Sequence, residues 1–210
     1  MRRLQRRPVA SLACRPLWLA GLAALLAGSA VLAAPADPLA GATKAGVCLA
    51  CHGAQGVAVL AGTPSLAGQP ALALVYQLIQ FREKRRLWPA MNSVTESLSD
   101  QDIKDIAAHF AALPAGPAQP AALQAAPQTL EAGRQIAQSQ YCTSCHAAGL
   151  KGQKHIPRLA GQPADYLATQ LRKLKSGVRA DIDGTMASAA QGLSEADIEA
   201  VSLYAASLGN

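Results

Sequence analysis

The chain has 210 residues, with 19 Lys and Arg against 13 Asp and Glu for a formal net charge of +6; it is 50% hydrophobic but only 4% aromatic. This length allows one domain or two, and a charged fraction of 15% beside an apolar half rich in Ala and Leu excludes an intrinsically disordered chain. The positive balance would suit nucleic acid or a membrane surface, and the location of the charges decides whether it does.

Arg2, Arg3, Arg6, Arg7 and Arg15 precede an uncharged apolar run from Leu17 to Leu32 that ends in small residues. This is the pattern of a secretory signal peptide over residues 1–36, with cleavage expected between 33 and 36. The competing reading is an uncleaved anchor, for which the run is shorter than the ~20 residues that span a bilayer. Cleavage removes five Arg and no acid, leaving 14 basic and 13 acidic residues. The case for nucleic acid goes with the leader. So does Cys14, which lies before the apolar run; Cys48, Cys51, Cys142 and Cys145 remain.

The rest of the chain is duplicated. Leu66-Ala67-Gly68-Gln69-Pro70-Ala71 recurs as Leu159-Ala160-Gly161-Gln162-Pro163-Ala164, and Gln77-Leu78 recurs as Gln170-Leu171. Cys48 matches Cys142, and Met91, Leu98-Ser99 and Asp102-Ile103 match Met186, Leu193-Ser194 and Asp197-Ile198. Two periods are too few for a solenoid, so a tandem pair of domains is expected, at 37–113 and 129–210. The Pro/Ala-rich stretch 114–128 between them reads as a semi-rigid, extended linker.

Helical periodicity runs through both domains. Pro70 opens a helix to about Leu87 with Leu74, Leu78 and Phe81 on one face, and Pro163 to Ser176 repeats it with Leu167, Leu171 and Leu174. Ser99 and Ser194 are N-cap candidates for last helices carrying Ile103, Ile106 and Phe110, and Ile198 and Val201. A further helix, Leu130 to Tyr141, leads into Cys142. No stretch alternates as a strand, so the fold is expected to be all-α. Domains this small and this poor in large side chains need a staple, and a bulky apolar group absent from the polypeptide would supply one.

Cys48-Leu49-Ala50-Cys51-His52 and Cys142-Thr143-Ser144-Cys145-His146 are both C-x-x-C-H, the attachment sequence of c-type haem. Two thiols add across the haem vinyl groups while the adjacent His52 or His146 reaches the iron. A zinc half-site would need further ligands that each half lacks, and a redox dithiol belongs in a βαβ setting. The expected cofactors are therefore two covalently attached haem c groups.

Met91 and Met186 lie 39 and 40 residues after His52 and His146, on what reads as a loop before the last helix. They are the candidates for the second axial ligand. His109 and His155 are rivals, but they are not equivalent under the repeat, and His109 reads as solvent-facing. Pro64 and Pro157 follow the axial His by 12 and 11 residues. They either form plain turns or offer a carbonyl to the His Nδ1–H. Arg86 and Arg179 are either solvated or set to neutralise haem propionates. Lys84-Arg85-Arg86 and Arg172-Lys173-Lys175 read as basic helix ends that could also dock an acidic partner.

On these residues the chain resembles cytochrome c4, a family of dihaem proteins built from two class I cytochrome c domains. The paired C-x-x-C-H motifs, the paired Pro-x-Leu-Ala-Gly-Gln-Pro stretches and the paired Met positions carry the resemblance across residues 37–210. It implies periplasmic electron transfer from a donor such as a quinol-oxidising complex, often toward a terminal oxidase and sometimes at the membrane face. It also implies two His/Met-ligated haems meeting near the domain interface. Arg86 is five residues before Met91 whereas Arg179 is seven before Met186, so the first Met loop is shorter. His/Met ligation leaves no open iron position and favours one-electron exchange. The alternatives are the haem subunit of a periplasmic dehydrogenase complex oxidising sulfide or an alcohol and, less favoured, a dihaem peroxidase.

Overall fold

Asp37 starts the first helix because its carboxylate accepts from the Leu39 and Ala40 N–H groups, while Pro38 supplies a pre-set φ at the first turn. The computed structural model describes residues 34–209; the expected leader up to residue 33, with Cys14, lies outside the described residues. The first half contains α1 (Pro38–Lys44), a 3₁₀ turn (Ala45–Cys48), α2 (Leu49–His52), α3 (Ala71–Arg82), α4 (Pro89–Thr95) and α5 (Asp100–Ala112). After the short α6 (Pro120–Leu123), the second half repeats the order as α7 (Pro127–Ser139), α8 (Cys142–His146), α9 (Ala164–Lys175), α10 (Thr185–Gln191) and α11 (Glu195–Ser207). Among the described residues the only β pairing is an isolated bridge between Gln153 and Ile156.

In each half the first helix crosses the last at a glycine. A Cβ on Gly41 would sit 2.0 Å from the Asp105 carbonyl oxygen, and one on Gly133 would sit 2.1 Å from that of Ala200. No side chain fits at either crossing. Ser99 and Ser194 cap α5 and α11 through reciprocal capping boxes with Asp102 and Asp197, as the sequence pattern predicts. Leu74, Ile106 and Phe110 pack the first core. In the second, Leu150 and Leu167 form one cluster, and Leu193 and Ile198 another.

Five elements differ from the periodicity reading. Helix α3 ends at Arg82, not Leu87, because Lys84 takes a left-handed φ of 55° and the Arg85 and Arg86 N–H groups turn back onto the Gln80 carbonyl. Helix α7 starts at Pro127 and stops before Tyr141, which is left-handed at φ 54°. Met91 and Met186 lie inside the short helices α4 and α10, not on open loops. Helix α1, opened by Asp37-Pro38, has no counterpart in the periodicity reading.

The Pro/Ala-rich segment is a packed strap, not an extended spacer. Gln119 donates from its backbone to the Ala206 carbonyl (2.9 Å) and from its side chain to that of Gly161 (2.8 Å), and Ala122 is fully buried. Gly68 and Gly161, with φ of 67° and 73°, are the repeated glycines of the Leu-Ala-Gly-Gln-Pro stretches. A Cβ on Gly68 would meet the Ala115 Cβ at 2.5 Å, and one on Gly161 would meet the Pro117 carbonyl at 3.1 Å. The strap thus threads along both turns, and the two halves pack together as one unit. No helix among the described residues is long and apolar enough to cross a membrane.

Candidate functional site

Helical geometry puts both thiols of each C-x-x-C-H motif and its histidine on neighbouring turns of one short helical segment. Cys48 and Cys142 are half-buried, and burial pushes both thiols above the usual thiol range; Cys51 and Cys145 are exposed. His52 and His146 are 5% and 4% exposed. The Pro64 carbonyl lies 2.7 Å from His52 Nδ1, and the Pro157 carbonyl lies 2.8 Å from His146 Nδ1. A carbonyl can only accept, so each Nδ1 carries the proton and each Nε2 presents a lone pair. Burial lowers both imidazole pKa values, and the carbonyl bonds offset only part of that. Nε2 of His146 is buried and has no hydrogen-bond partner.

Both histidines open onto a cavity of about 500 Å³ that runs through the two halves. Met91, Met186 and all four cysteines line it as well. Its walls are apolar: Leu74, Phe81 and Phe110 in the first half, Leu150, Leu167 and Leu174 in the second. An unpartnered imidazole nitrogen, a thioether and paired thiols on apolar walls fit a flat apolar macrocycle carrying its own metal. Among the described residues no three His, Cys, Asp or Glu side chains gather to hold a bare metal ion.

Arg86 and Arg179 converge on the junction of the halves. Arg86 is 9% exposed and donates to Gln77, to the Tyr166 hydroxyl (3.1 Å) and to Gln170 (2.9 Å). Arg179 donates to Gln170 (2.9 Å) and to Gln77 (3.3 Å), while its Nε is buried without a partner. The solvated reading of these arginines therefore fails. They reach one cluster although their spacings to the methionines differ, because each N–H returns to a carbonyl six residues earlier, that of Gln80 or Lys173. Burial and the Arg86 charge pull the Arg179 guanidinium down to about 10. Burial raises the Tyr166 phenol, but the two guanidinium charges outweigh it and the net shift is downward. No carboxylate is among the hydrogen-bond partners of either arginine in the described residues, so the cluster suits an anionic group from outside the chain.

The rival histidines stand elsewhere. His109 is half-buried against the Phe110 ring beside Gly41, in the place Tyr204 takes beside Gly133, and His155 meets Tyr76 edge-on at 5.7 Å. Neither lines the cavity. The basic helix ends are partly committed: Arg172 pairs with Glu195, and Lys173 lies 4.2 Å over the Trp88 ring. The residues that sequence reading missed are Gln69, Gln77, Gln162, Gln170 and Tyr166. The four glutamines stand in the repeated stretches, so the repeat marked their positions but not what they contact.

Comparison with known proteins agrees with this geometry. Residues 130–209 match the family model "Cytochrome c", and residues 34–110 match "Cytochrome C oxidase, cbb3-type, subunit III". The chain is 40% identical to cytochrome c4 of Thiocapsa roseopersicina over 175 residues, 80% of this chain and 91% of that one. It is 34% identical to a thiosulfate dehydrogenase electron acceptor of Stutzerimonas stutzeri, over 91% of this chain and 94% of that one. The crystal structure of reduced recombinant cytochrome c4 from Pseudomonas stutzeri superposes with a TM-score of 0.75 at 32% identity, covering 82% of this chain and 99% of that one. The fold is a tandem of two all-α cytochrome c domains, its cofactors are two covalently bound haem c groups, and it carries electrons and is not an enzyme. With paired C-x-x-C-H helices, paired methionines and one cavity through both halves, the chain belongs to the cytochrome c4 family.

Proposed function

We propose that this chain is a periplasmic one-electron carrier that takes electrons from a respiratory donor such as a quinol-oxidising complex and passes them toward a terminal oxidase. Cys48 and Cys51 anchor the first haem and Cys142 and Cys145 the second. His52 with Met91 would hold the iron of the first haem, and His146 with Met186 that of the second. Each haem, when bound, would supply a one-electron Fe(III)/Fe(II) couple, and holding it by a thioether and an imidazole would set its potential above that given by two nitrogen ligands. The Pro64 and Pro157 carbonyls orient the two imidazoles and raise their donor strength. Arg86 and Arg179 hold the propionate side, and the apolar walls exclude water.

The observation that carries this reading is the single cavity lined by both histidines, both methionines and all four thiols. The oxidised protein is expected to show the weak Met-to-iron absorption at the red end of its spectrum, and Met91→Ala with Met186→Ala should abolish it. Its persistence in the double variant would overturn the ligand assignment. The Arg-rich leader pattern supports export, and processing between residues 33 and 36 is checked by sequencing the mature amino terminus.

A second reading rests on the relative named as a thiosulfate dehydrogenase electron acceptor. In it the donor is a periplasmic dehydrogenase, with this chain as its electron-transfer subunit or acceptor. Rapid-mixing reduction by such a dehydrogenase and its substrate, set against reduction by a quinol-oxidising complex, separates the two donors.

A further inference from the structure

The junction of the halves has a pseudo-two-fold arrangement in which equivalent residues exchange bonds, as in an isologous dimer interface. Gln162, 4% exposed, accepts from the Ser65 N–H at 2.9 Å and donates to the Ser65 carbonyl at 2.7 Å. Gln69, 6% exposed, does the same to Arg158, at 2.9 Å from the N–H and 2.8 Å to the carbonyl. Backbone N–H can only donate and C=O only accept, so both amide orientations are chemically determined.

The clasped N–H groups belong to particular peptide units. The N–H of Ser65 shares its peptide group with the Pro64 carbonyl, and that of Arg158 shares its group with the Pro157 carbonyl. Those two carbonyls accept from His52 and His146 Nδ1. A peptide is a resonance-coupled unit, so an acceptor on its N–H places more negative charge on its oxygen. The stronger carbonyl acceptor then draws on the Nδ1–H and makes Nε2 a better donor.

We propose that Gln162 is a positioning residue for His52 and Gln69 for His146, so that the donor strength of each half's histidine is set by a side chain of the other half. This rests on the reading of His52 and His146 as iron ligands. The packing of the halves is thereby part of what sets each potential: separating them removes an acceptor from both peptide groups at once.

The test uses the full-length holoprotein, with the two haems told apart by their ring-methyl NMR signals during a redox titration. In Gln162→Met the Pro64 carbonyl weakens as an acceptor. The reduced protein should then show the His52 Nδ1–H signal moved upfield, and the potential of the first haem should rise while that of the second stays. Gln69→Met should give the mirror result, moving the second haem and His146. Gln162→Glu keeps an acceptor for the Ser65 N–H and should shift the His52 Nδ1–H signal the opposite way, which keeps the test decisive if the Met variant does not fold. Equal movement of both haems in each Met variant would mark the glutamines as plain interface clasps and overturn the proposal. So would an unmoved Nδ1–H signal. Ligation is read separately: in the oxidised wild-type protein both Nδ1–H signals should carry a hyperfine shift from the iron. Its absence would overturn the ligand reading, and the proposal with it, before any glutamine is changed.

Discussion

The two halves close with the same backbone and different chemistry. Where α1 crosses α5, the side chain of Asp105 is 4% exposed and accepts from Lys44 Nζ at 2.7 Å, from the Asp37 N–H at 2.9 Å and from Gln101 at 2.8 Å. Lys44 also reaches Asp102 at 2.7 Å. Where α7 crosses α11, the equivalent of Asp105 is Ala200, and Tyr204 packs beside Gly133. The close approach comes from the glycine in both halves, whereas the side chains around it were free to diverge. The methionine helices differ in the same way. In the first half Asn92 ties the turn together, accepting from the Trp88 N–H and donating to the Phe81 and Arg86 carbonyls. In the second, Asp181 takes the Met186 N–H at 2.7 Å and the Ala187 N–H at 3.2 Å. A neutral amide holds one methionine turn and a carboxylate the other, so the repeated methionine positions do not sit in equal electrostatic surroundings.

The strongest way to break the equivalence of the crossings is to fill them. Gly41→Val and Gly133→Val each drive a side chain into backbone, where neither neighbour can yield. Each should cost at least the ~3 kcal/mol at the upper end of overpacking penalties. Thermal denaturation of the two holoproteins checks this, and a tolerated Gly133→Val alone would show that the apolar crossing can open where the polar one cannot.

A smaller effect separates the halves by pH. Lys44 holds the Asp102 and Asp105 carboxyls below the usual carboxylate range, helped by Ser99 at Asp102 and by the Asp37 N–H at Asp105. A depressed folded pKa contributes stability that is present above the unfolded value, near pH 4, and lost as pH falls through the folded one. The α1–α5 crossing should therefore loosen on acidification below about pH 4 before its α7–α11 counterpart does. Asp105→Ala should remove most of that difference and lower the melting temperature at neutral pH. Hydrogen exchange along the two crossings, followed from pH 7 to pH 3, measures it.

The smallest effect concerns the methionine turns. Asp181→Asn removes one carboxylate from the second turn, where Asp183 still accepts from the Thr185 N–H at 3.0 Å, so the oxidised, more positive state of the second haem loses a stabilising charge. Its potential should rise by about 40 mV for roughly 1 kcal/mol of lost differential stabilisation, with the first haem little changed. Haem-resolved redox titration reads this directly.

Much of the site was legible because its chemistry is local. Two thiols and a histidine must lie within one helical turn to serve one macrocycle, so the C-x-x-C-H motifs are visible as a string. The capping serines were equally readable, since a capping box spans four consecutive positions. Helix α1 was hidden because seven residues hold too few apolar positions to show a period. The end of α3 was hidden because the left-handed turn at Lys84 uses a residue type that rarely adopts it. The partners of Arg86 and Arg179 were out of reach for a different reason. Their contacts join residues up to 102 positions apart, and nothing in the local sequence of an arginine tells a solvated guanidinium from a buried one.

The chain's own order of residues determined the duplication, the helical class, the haem attachment and the matched positions of a histidine and a methionine in each half, because each depends on short-range spacing or on repetition. Tertiary structure alone decided that the Pro/Ala-rich segment is a strap, that both arginines meet at one junction, and that Gln69 and Gln162 each clasp the peptide that holds the other half's histidine. Those features arise only when two folded halves pack together, and the free energy of that packing depends on surfaces that no single stretch of sequence contains.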